Sequence, residues 1–487
     1  MRVRVIILTM FVAGWNAAFA QFEGTQYFMN SLPQYVNNNP AFVPRYKFAL
    51  GLPGSMIDVN YSNNGFNFND LTRKENGKRI VDLSRLAGSL PNKTYITNTV
   101  QADLFRLGLR VGPRAYLSLN STLKGYGRMM MPKDAVSIIA NGNEAYIGKS
   151  ASISPEGELL TYWENSAGLA LSLTDDLTVG ARVKLLRGFF NASTSTASAT
   201  ISVADDYTYT TTIAADMNMR TSGIQSNDGF KLSNYSSNSG VAFDLGATYR
   251  PFEKLTLAAS LVDIGSIKWK YNTYQYTLDK SKANYSFSGV DLNEVVHGNS
   301  SYMNSLGDSL EAHFKPEEKQ GASYATMLPA KMYASANYQV MKNFSIGSVL
   351  YAERFMGRMA TGWTVAASKH FGRVLSTTVS YSVSNRSFNN LGAGLSLNLA
   401  PIQIYVVGDN LLRLPLSAAA HKNLNEYLYS TQVFNFRMGV NFVWGWMTDS
   451  GKKVEEKPYN AKKKGNRSST NVKKQPSPKA INVRKKK

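Results

Sequence analysis

The apolar and polar positions of residues 434–446, FNFRMGVNFVWGW, alternate. Phe434, Phe436, Met438, Val440, Phe442, Trp444 and Trp446 share one parity. Asn435, Arg437, Gly439, Asn441 and Gly445 share the other, with Val443 the apolar exception. A strand sends alternate side chains to opposite faces, so this segment has a greasy, aromatic face and a polar one. A soluble sandwich would bury the greasy face in a core. A transmembrane barrel turns it to lipid and keeps the polar face in its lumen. Residues 240–250 repeat the pattern, with Val241, Phe243, Leu245, Ala247 and Tyr249 against Asp244, Gly246, Thr248 and Arg250. In 375–384 the polar face is Ser376, Thr378, Ser380, Ser382 and Ser384, a regularity that excludes a helix.

Alternation predicts strands near 48–60, 97–110, 115–127, 165–173, 177–190, 240–250, from 255, 329–339, 344–355, 359–371, 375–384, 388–399, 402–411 and 434–446. The expected fold is all-β, a transmembrane antiparallel barrel of about 14 strands, the even number such barrels favour. Connections at 112–114, 174–177, 251–254, 341–343, 372–373 and 400–401 are short, and those near 128–164, 191–239, 270–328 and 412–433 are long. They alternate as they would if both ends of the mature chain faced the periplasm. Residues 191–220, rich in Ser and Thr, predict a hairpin above the membrane, and 300–319 a short surface helix. Trp444 and Trp446 below, and Trp269, Tyr271, Tyr274 and Tyr276 above, read as aromatic girdles at the two water–lipid boundaries.

Residues 1–20 have the three parts of a secretory signal: Arg2 and Arg4, a short apolar run, and Ala18-Phe19-Ala20. Cleavage is expected after Ala20, leaving residues 21–47 as an N-terminal periplasmic or plug segment, 48–446 as the barrel and 447–487 as a tail. The tail carries 12 Lys and 2 Arg against 3 acids, so it supplies +11 of the chain's net +21. Lys462-Lys463-Lys464 and Lys485-Lys486-Lys487 sit there among polar residues with little to bury, which predicts disorder. Its expected partners are anionic or acidic: a periplasmic protein, cell-wall carboxylates or lipid headgroups. Nucleic acid is not expected, because the chain is exported.

The chain has no Cys, which excludes disulfides, thiol catalysis and lipid attachment at a cysteine. His297, His313, His370 and His421 are scattered, and the zincin, nucleophile-elbow and P-loop motifs are absent. Asp205-Asp206 is the best carboxylate pair and reads as a solvated turn. No enzyme activity, metal or cofactor is expected.

The segment QYFMNSLPQYVNNNPAFVPRYKFALGLPGSMID, residues 26–58, resembles the start of an uncharacterised family of Bacteroidetes outer-membrane barrels. The likeness rests on Met29-Asn30, Leu32-Pro33-Gln34, Asn39-Pro40-Ala41-Phe42 and Gly51-Leu52-Pro53, and continues through YSNNGFNFNDL. GVAFDLGATYRP and VDIG before Trp269 look like strands of the wider FadL-like superfamily, where an Asn-Pro-Ala box lies in a lumenal plug. The resemblance implies an outer-membrane channel for a small hydrophobic compound, with Asn39, Pro40 and Ala41 at the bend of the plug. It also implies a second possibility, a non-transporting scaffold, since related barrels serve type IX secretion and gliding. In that case loops 191–239 and 270–328 would dock partners outside and the basic tail would clasp one in the periplasm. Outer-membrane lipid is the expected surroundings in either case.

Overall fold

The computed structural model describes residues 24–76, 78–224, 232–288, 308–355, 358–384, 387–411 and 433–447. Fourteen antiparallel strands close into a barrel. In chain order they are β1 (Tyr46–Gly51 continued by Ile57–Asn63), β2 (Lys93–Val111), β3 (Ala115–Pro132), β4 (Glu156–Ser172), β5 (Leu177–Val203), β6 (Ser239–Phe252) and β7 (Leu255–Trp269). Then come β8 (Tyr324–Met327 continued by Ala330–Met341), β9 (Phe344–Phe355), β10 (Arg358–Phe371), β11 (Leu375–Ser384), β12 (Ser387–Leu399), β13 (Ile402–Asp409) and β14 (Val433–Trp446). β1 closes the ring on β14, with Phe48 opposite Trp444 and Ile57 opposite Met438.

Alternation sets the two faces. On β5, Val183 and Leu185 stand outward, 47% and 61% exposed, while Arg182 and Lys184 between them are buried in the lumen. On β14, Met438, Val440 and Trp444 face outward and Asn435, Arg437 and Asn441 inward. Closure pairs both edges of the sheet, so no strand edge is left to hydrocarbon within the ring.

Strand ends differ from the sequence expectation in one instructive place. β3 runs on through Pro132 and β4 begins at Glu156, so 128–132 and 156–164 are strand and not loop. The charged residues of that stretch, Arg128, Glu158 and Glu164, are buried toward the lumen, where charge is tolerated. The hairpin expected over 191–220 is present: β5 continues to Val203 and pairs back with Thr211–Ser222. A helix covers 308–314.

Two of the expected girdle tryptophans are inside. Leu257, Ala259 and Leu261 of β7 face lipid, but Val262 and Asp263 together oppose Asp244 of β6, and Asp263 has φ +62°. This bulge inverts the parity, so Trp269 points inward and is fully buried, its Nε1–H donating to Thr326 Oγ1 at 3.1 Å. Gly445, at φ +70°, does the same for Trp446. Trp446 packs edge-on to Tyr46 at 5.3 Å, under Arg45 and near His370, while Trp444 alone of the pair stays on the lipid face. Tyr271 packs against Tyr235 above the barrel.

Candidate functional site: the plugged lumen

Residues 24–45 lie inside the barrel. Two short 3-10 turns, Gln26–Phe28 and Pro33–Asn37, set the path, Pro33 fixing the first position of the second. Asn39 makes the bend. Its Oδ1 accepts from Ala41 N–H at 2.8 Å and its carbonyl from Phe42 N–H at 3.0 Å, an Asx turn that Pro40 stiffens. The same side chain pins the wall, donating from Nδ2 to Ala259 O at 3.1 Å and Ala247 O at 3.4 Å, carbonyls of a registered pair on β6 and β7. Ser260 Oγ donates to Asn38 O at 2.7 Å beside it.

The wall is notched where the plug touches it. A Cβ on Gly246 would overlap Asn39, and one on Gly180 would overlap the backbone of Pro40 and Ala41. Gly347 makes room for Phe28, Gly394 for Met29 and Gly392 for Thr25. Glycine is required here for space, since each side chain would occupy volume the plug already fills. Aromatic packing completes the seat: Tyr35 stacks on Phe42 at 4.1 Å and Tyr27 on Tyr333 at 5.4 Å. Gln34 Nε2 donates to Ser55 O (2.8 Å) and Asn441 Oδ1 (2.9 Å), and Gln403 Nε2 to Ser31 O (2.7 Å).

An ionic belt lies across the lumen against the plug. Lys184 Nζ is 2.5 Å from Asp263 and 2.9 Å from Asp244. Lys124 is 2.7 Å from Glu164, and Arg182 is 3.1 Å from Asp244. Arg182 also donates to Val36 O of the plug at 2.7 Å, and Asp263 N–H donates to Asp244 at 2.8 Å. On the opposite wall Arg437 pairs with Asp58 at 2.6 Å and Arg106 with Asp103 at 2.8 Å, Arg106 also reaching Asn37 Oδ1 of the plug at 3.1 Å. Between the two groups is a polar cavity of about 30 Å³, bordered by Asn37, Asn38, Lys124, Asp263 and Arg437. That is room for about two waters.

Beyond the belt an apolar cluster sits beside buried Asn191 and Thr326. Leu160, Tyr162, Leu186, Ile267, Trp269 and Leu328 pack together. The adjoining wall is interrupted. Residues 263–265 of β7 and 328–330 of β8 have no partners in register between the Val262–Lys331 and Ser266–Met327 pairs. Leu328 N–H to Gly265 O, at 3.0 Å, bridges the gap, and Pro329 has no N–H to give.

Comparison with known proteins places this barrel. A profile described as "Family of unknown function (DUF5723)" matches residues 40–409, from the bend of the plug to the end of β13. The chain belongs to the DUF5723 family. No curated protein matches it. Among solved structures, it is similar to a Pseudomonas aeruginosa FadL homologue at 12% identity and TM-score 0.42, covering 86% of this chain and 96% of that one. It is similar to the Ralstonia pickettii toluene transporter TbuX at 10% identity and TM-score 0.41, covering 88% and 98%. The Pseudomonas putida toluene transporter TodX matches at 9% identity and TM-score 0.38, covering 88% and 96%.

Within this DUF5723 barrel the structure brings Asn39, Pro40 and Ala41 onto the β5–β7 wall. Residues 1–20 and Lys462, Lys463, Lys464, Lys485, Lys486 and Lys487 lie outside the described residues. Met447, the first residue of the expected tail, still donates to Arg45 O at 2.8 Å. Asp206 shapes the hairpin tip; hydrogen bonds from Thr208 hold its carboxyl below the usual range. His370 is buried on β10 with Nδ1 2.8 Å from Ser376 Oγ. Among the described residues no His, Asp and Glu side chains are grouped to hold a metal ion. The ionic belt was the missed feature. Its signal was present, in charged residues standing on the polar parity of long alternating strands.

Proposed function

We propose that the chain is a gated outer-membrane channel for small, mainly hydrophobic compounds, with residues 24–45 as the closed gate. The observation that carries this reading is an apolar cluster (Leu160, Leu186, Ile267, Trp269, Leu328) set over an ionic belt and beside an interrupted wall. An apolar compound gains by reaching the cluster from the outer mouth. It loses by going on, because separating Lys184 from Asp263 and Asp244 strands buried charge. The unpaired stretch between β7 and β8 is the less costly way out, into lipid. The gate reaches that stretch through contacts already described: Val36 O to Arg182, Arg182 to Asp244, Asp244 to the bulge at Asp263. On this reading residues 1–20 are removed after Ala20, both ends of the chain face the periplasm, and Asn39, Pro40 and Ala41 are the bend that must leave its notch.

The test uses the absence of native cysteine. Ser266 and Met327 are in register just above the break, next to the Gly265–Leu328 hydrogen bond. Directly opposed residues of antiparallel strands are spaced for a disulfide. The Ser266→Cys, Met327→Cys protein should take up toluene-sized solutes into cells when reduced and lose at least about tenfold of that rate when oxidised, a barrier change of about 1.4 kcal/mol. Equal uptake in both states refutes the exit through this wall. Absence of uptake in every state, with normal barrel levels, favours a second reading.

That second reading is a membrane-anchored scaffold. It is favoured by how completely the plug fills its seat, with Gly180, Gly246, Gly347, Gly392 and Gly394 leaving no slack. The outer loops and the basic residues 447–487 would then hold partners. Truncation after 447 should release an envelope protein or cell-wall fraction while the barrel still folds.

A further inference from the structure

Three neighbouring strands change from apolar to polar on their lipid-facing sides within one outward step of each other. Outward residues on β5 run Val179, Ala181, Val183, Leu185 and then Arg187. On β6 they run Leu245, Phe243, Val241 and then Ser239. On β7, past the bulge, Ile264 is followed by Ser266 and Lys268. The pairings place Trp163 of β4 opposite Arg187, Arg187 opposite Ser239, and Ser239 opposite Lys268. The four residues therefore form one row across four strands, at the edge of the apolar band toward the long connections.

The row is cationic. Among the described residues neither Arg187 nor Lys268 has a carboxylate within ion-pair distance. The lumen face of the same strand is the opposite case, with Arg182 and Lys184 both held by Asp244. The Arg187 guanidinium lies 5.9 Å from the centre of the Trp163 ring, which orients it along the boundary. Two strand spacings, about 10 Å, separate the backbones of Arg187 and Lys268. Both side chains are long enough to converge on one group above Ser239, whose hydroxyl is a further donor. A phosphate suits this set: the guanidinium binds it through two parallel N–H bonds and the ammonium as a point charge. At the level where hydrocarbon ends, the phosphates within reach are those of lipid headgroups.

We propose that Trp163, Arg187, Ser239 and Lys268 form a binding site for the phosphate of a phosphorylated glycolipid in the outer leaflet. The site rests on the reading that the long connections face the cell exterior. It is independent of what, if anything, passes through the lumen. Bound lipid would stiffen β5–β7, the strands that carry the seat of the plug.

The experiment is native mass spectrometry of the full chain in mild detergent, offered diphosphorylated lipid A, fully dephosphorylated lipid A or phosphatidylglycerol. Wild type should retain the diphosphorylated lipid over the dephosphorylated one by about tenfold or more, as two interfacial cations warrant. The Arg187→Gln, Lys268→Gln protein should lose that preference, and Lys342→Gln, which removes one charge at the opposite end between β8 and β9, should keep it. An unchanged preference in the double variant overturns the site. So does complete competition by millimolar inorganic phosphate, which would mark a generic anion patch, or stronger retention of phosphatidylglycerol. Orientation is read separately, from labelling of a Tyr207→Cys protein at the hairpin tip by an impermeant maleimide on intact cells. Labelling with no lipid preference removes this site alone, and no labelling removes the orientation on which it rests.

Discussion

Among the described residues the barrel wall has two interruptions of three or more residues, and they are built in opposite ways. In β1, residues 52–56 have no partners in register, five residues standing against three on β2. Yet this loop is sealed. Gly54 O accepts from Val440 N–H at 3.2 Å and Met56 O from Asp103 N–H at 2.9 Å. Ser55 O accepts from Gln34 of the plug and from Tyr405 at 3.0 Å, and Gly439 is bare so that it can approach. Surplus chain is folded inward and its polar groups are consumed by both neighbours and the plug. In the β7–β8 gap there is no surplus. Three residues face three without register, Pro329 withholds a donor, and beyond the single Leu328–Gly265 backbone bond the gap is backed by ions and aromatic rings. An inserted loop reinforces a wall, whereas a gap backed by side chains can be released by moving them.

The largest expected effect comes from removing the charge behind the gap. Asp263→Asn keeps a residue that tolerates the left-handed backbone at φ +62° but takes a carboxylate from Lys184 and Lys124. Breaking a buried pair from one side costs about 3–5 kcal/mol. The expected outcome is a lower urea midpoint for loss of the heat-resistant folded band in micelles, with accelerated proteolysis near Pro329. If Asp263→Asn is as stable as wild type, the belt does not hold the gap closed.

An intermediate effect is expected where the plug meets β6. Gly246→Ala places a methyl where Asn39 sits, and overpacking of this kind costs about 1–3 kcal/mol. Since Asn39 also bridges Ala247 and Ala259, the plug and not the strand should yield. An Asn38→Cys reporter in this background should react with a small maleimide faster than the same reporter in a protein that keeps Gly246. Unchanged labelling would mean that the wall adjusts and the notch is not what seats the bend.

Much of this architecture was legible from alternation alone, because every strand is read by two solvents. The polar parity of β11, Ser376 to Ser384, and of β14 announces a wetted lumen as directly as Met438 and Val440 announce lipid. What alternation cannot show is where its own phase changes. Asp263 and Gly445 each reset the parity, and beyond them Trp269 and Trp446 point away from the membrane boundary their composition suggested. Alternation also stopped short at 128–132 and 156–164, where the lumen-facing residues are Arg128, Glu158 and Glu164. The family resemblance drew attention to Asn39-Pro40-Ala41, but nothing in the sequence pointed to the wall positions that this bend touches. A glycine on the lumenal parity of β5, β6, β9 or β12 has no signature until the segment that fills it is in place.

The smallest effect separates the two interruptions most sharply. Ser55→Ala leaves the Ser55 carbonyl and its two donors untouched, and removes a hydroxyl 3.5 Å from Asp103. Asp103 retains Arg106 at 2.8 Å and Thr122 at 2.8 Å, so the loss should stay under about 1 kcal/mol, the range of a weak neutral hydrogen bond. The informative comparison is Gln34→Ala in the plug, which removes a donor to the carbonyl and both of its bonds to Asn441, leaving Asn441 only its bond to Gln403. A reinforced loop predicts that Ser55→Ala is nearly silent in the same urea titration, with Gln34→Ala clearly weaker, because backbone capture and not the side chain seals β1. Were Ser55→Ala to destabilise as much as Asp263→Asn, the two interruptions would be held by the same kind of contact, and the case for β7–β8 as the place that opens would fail.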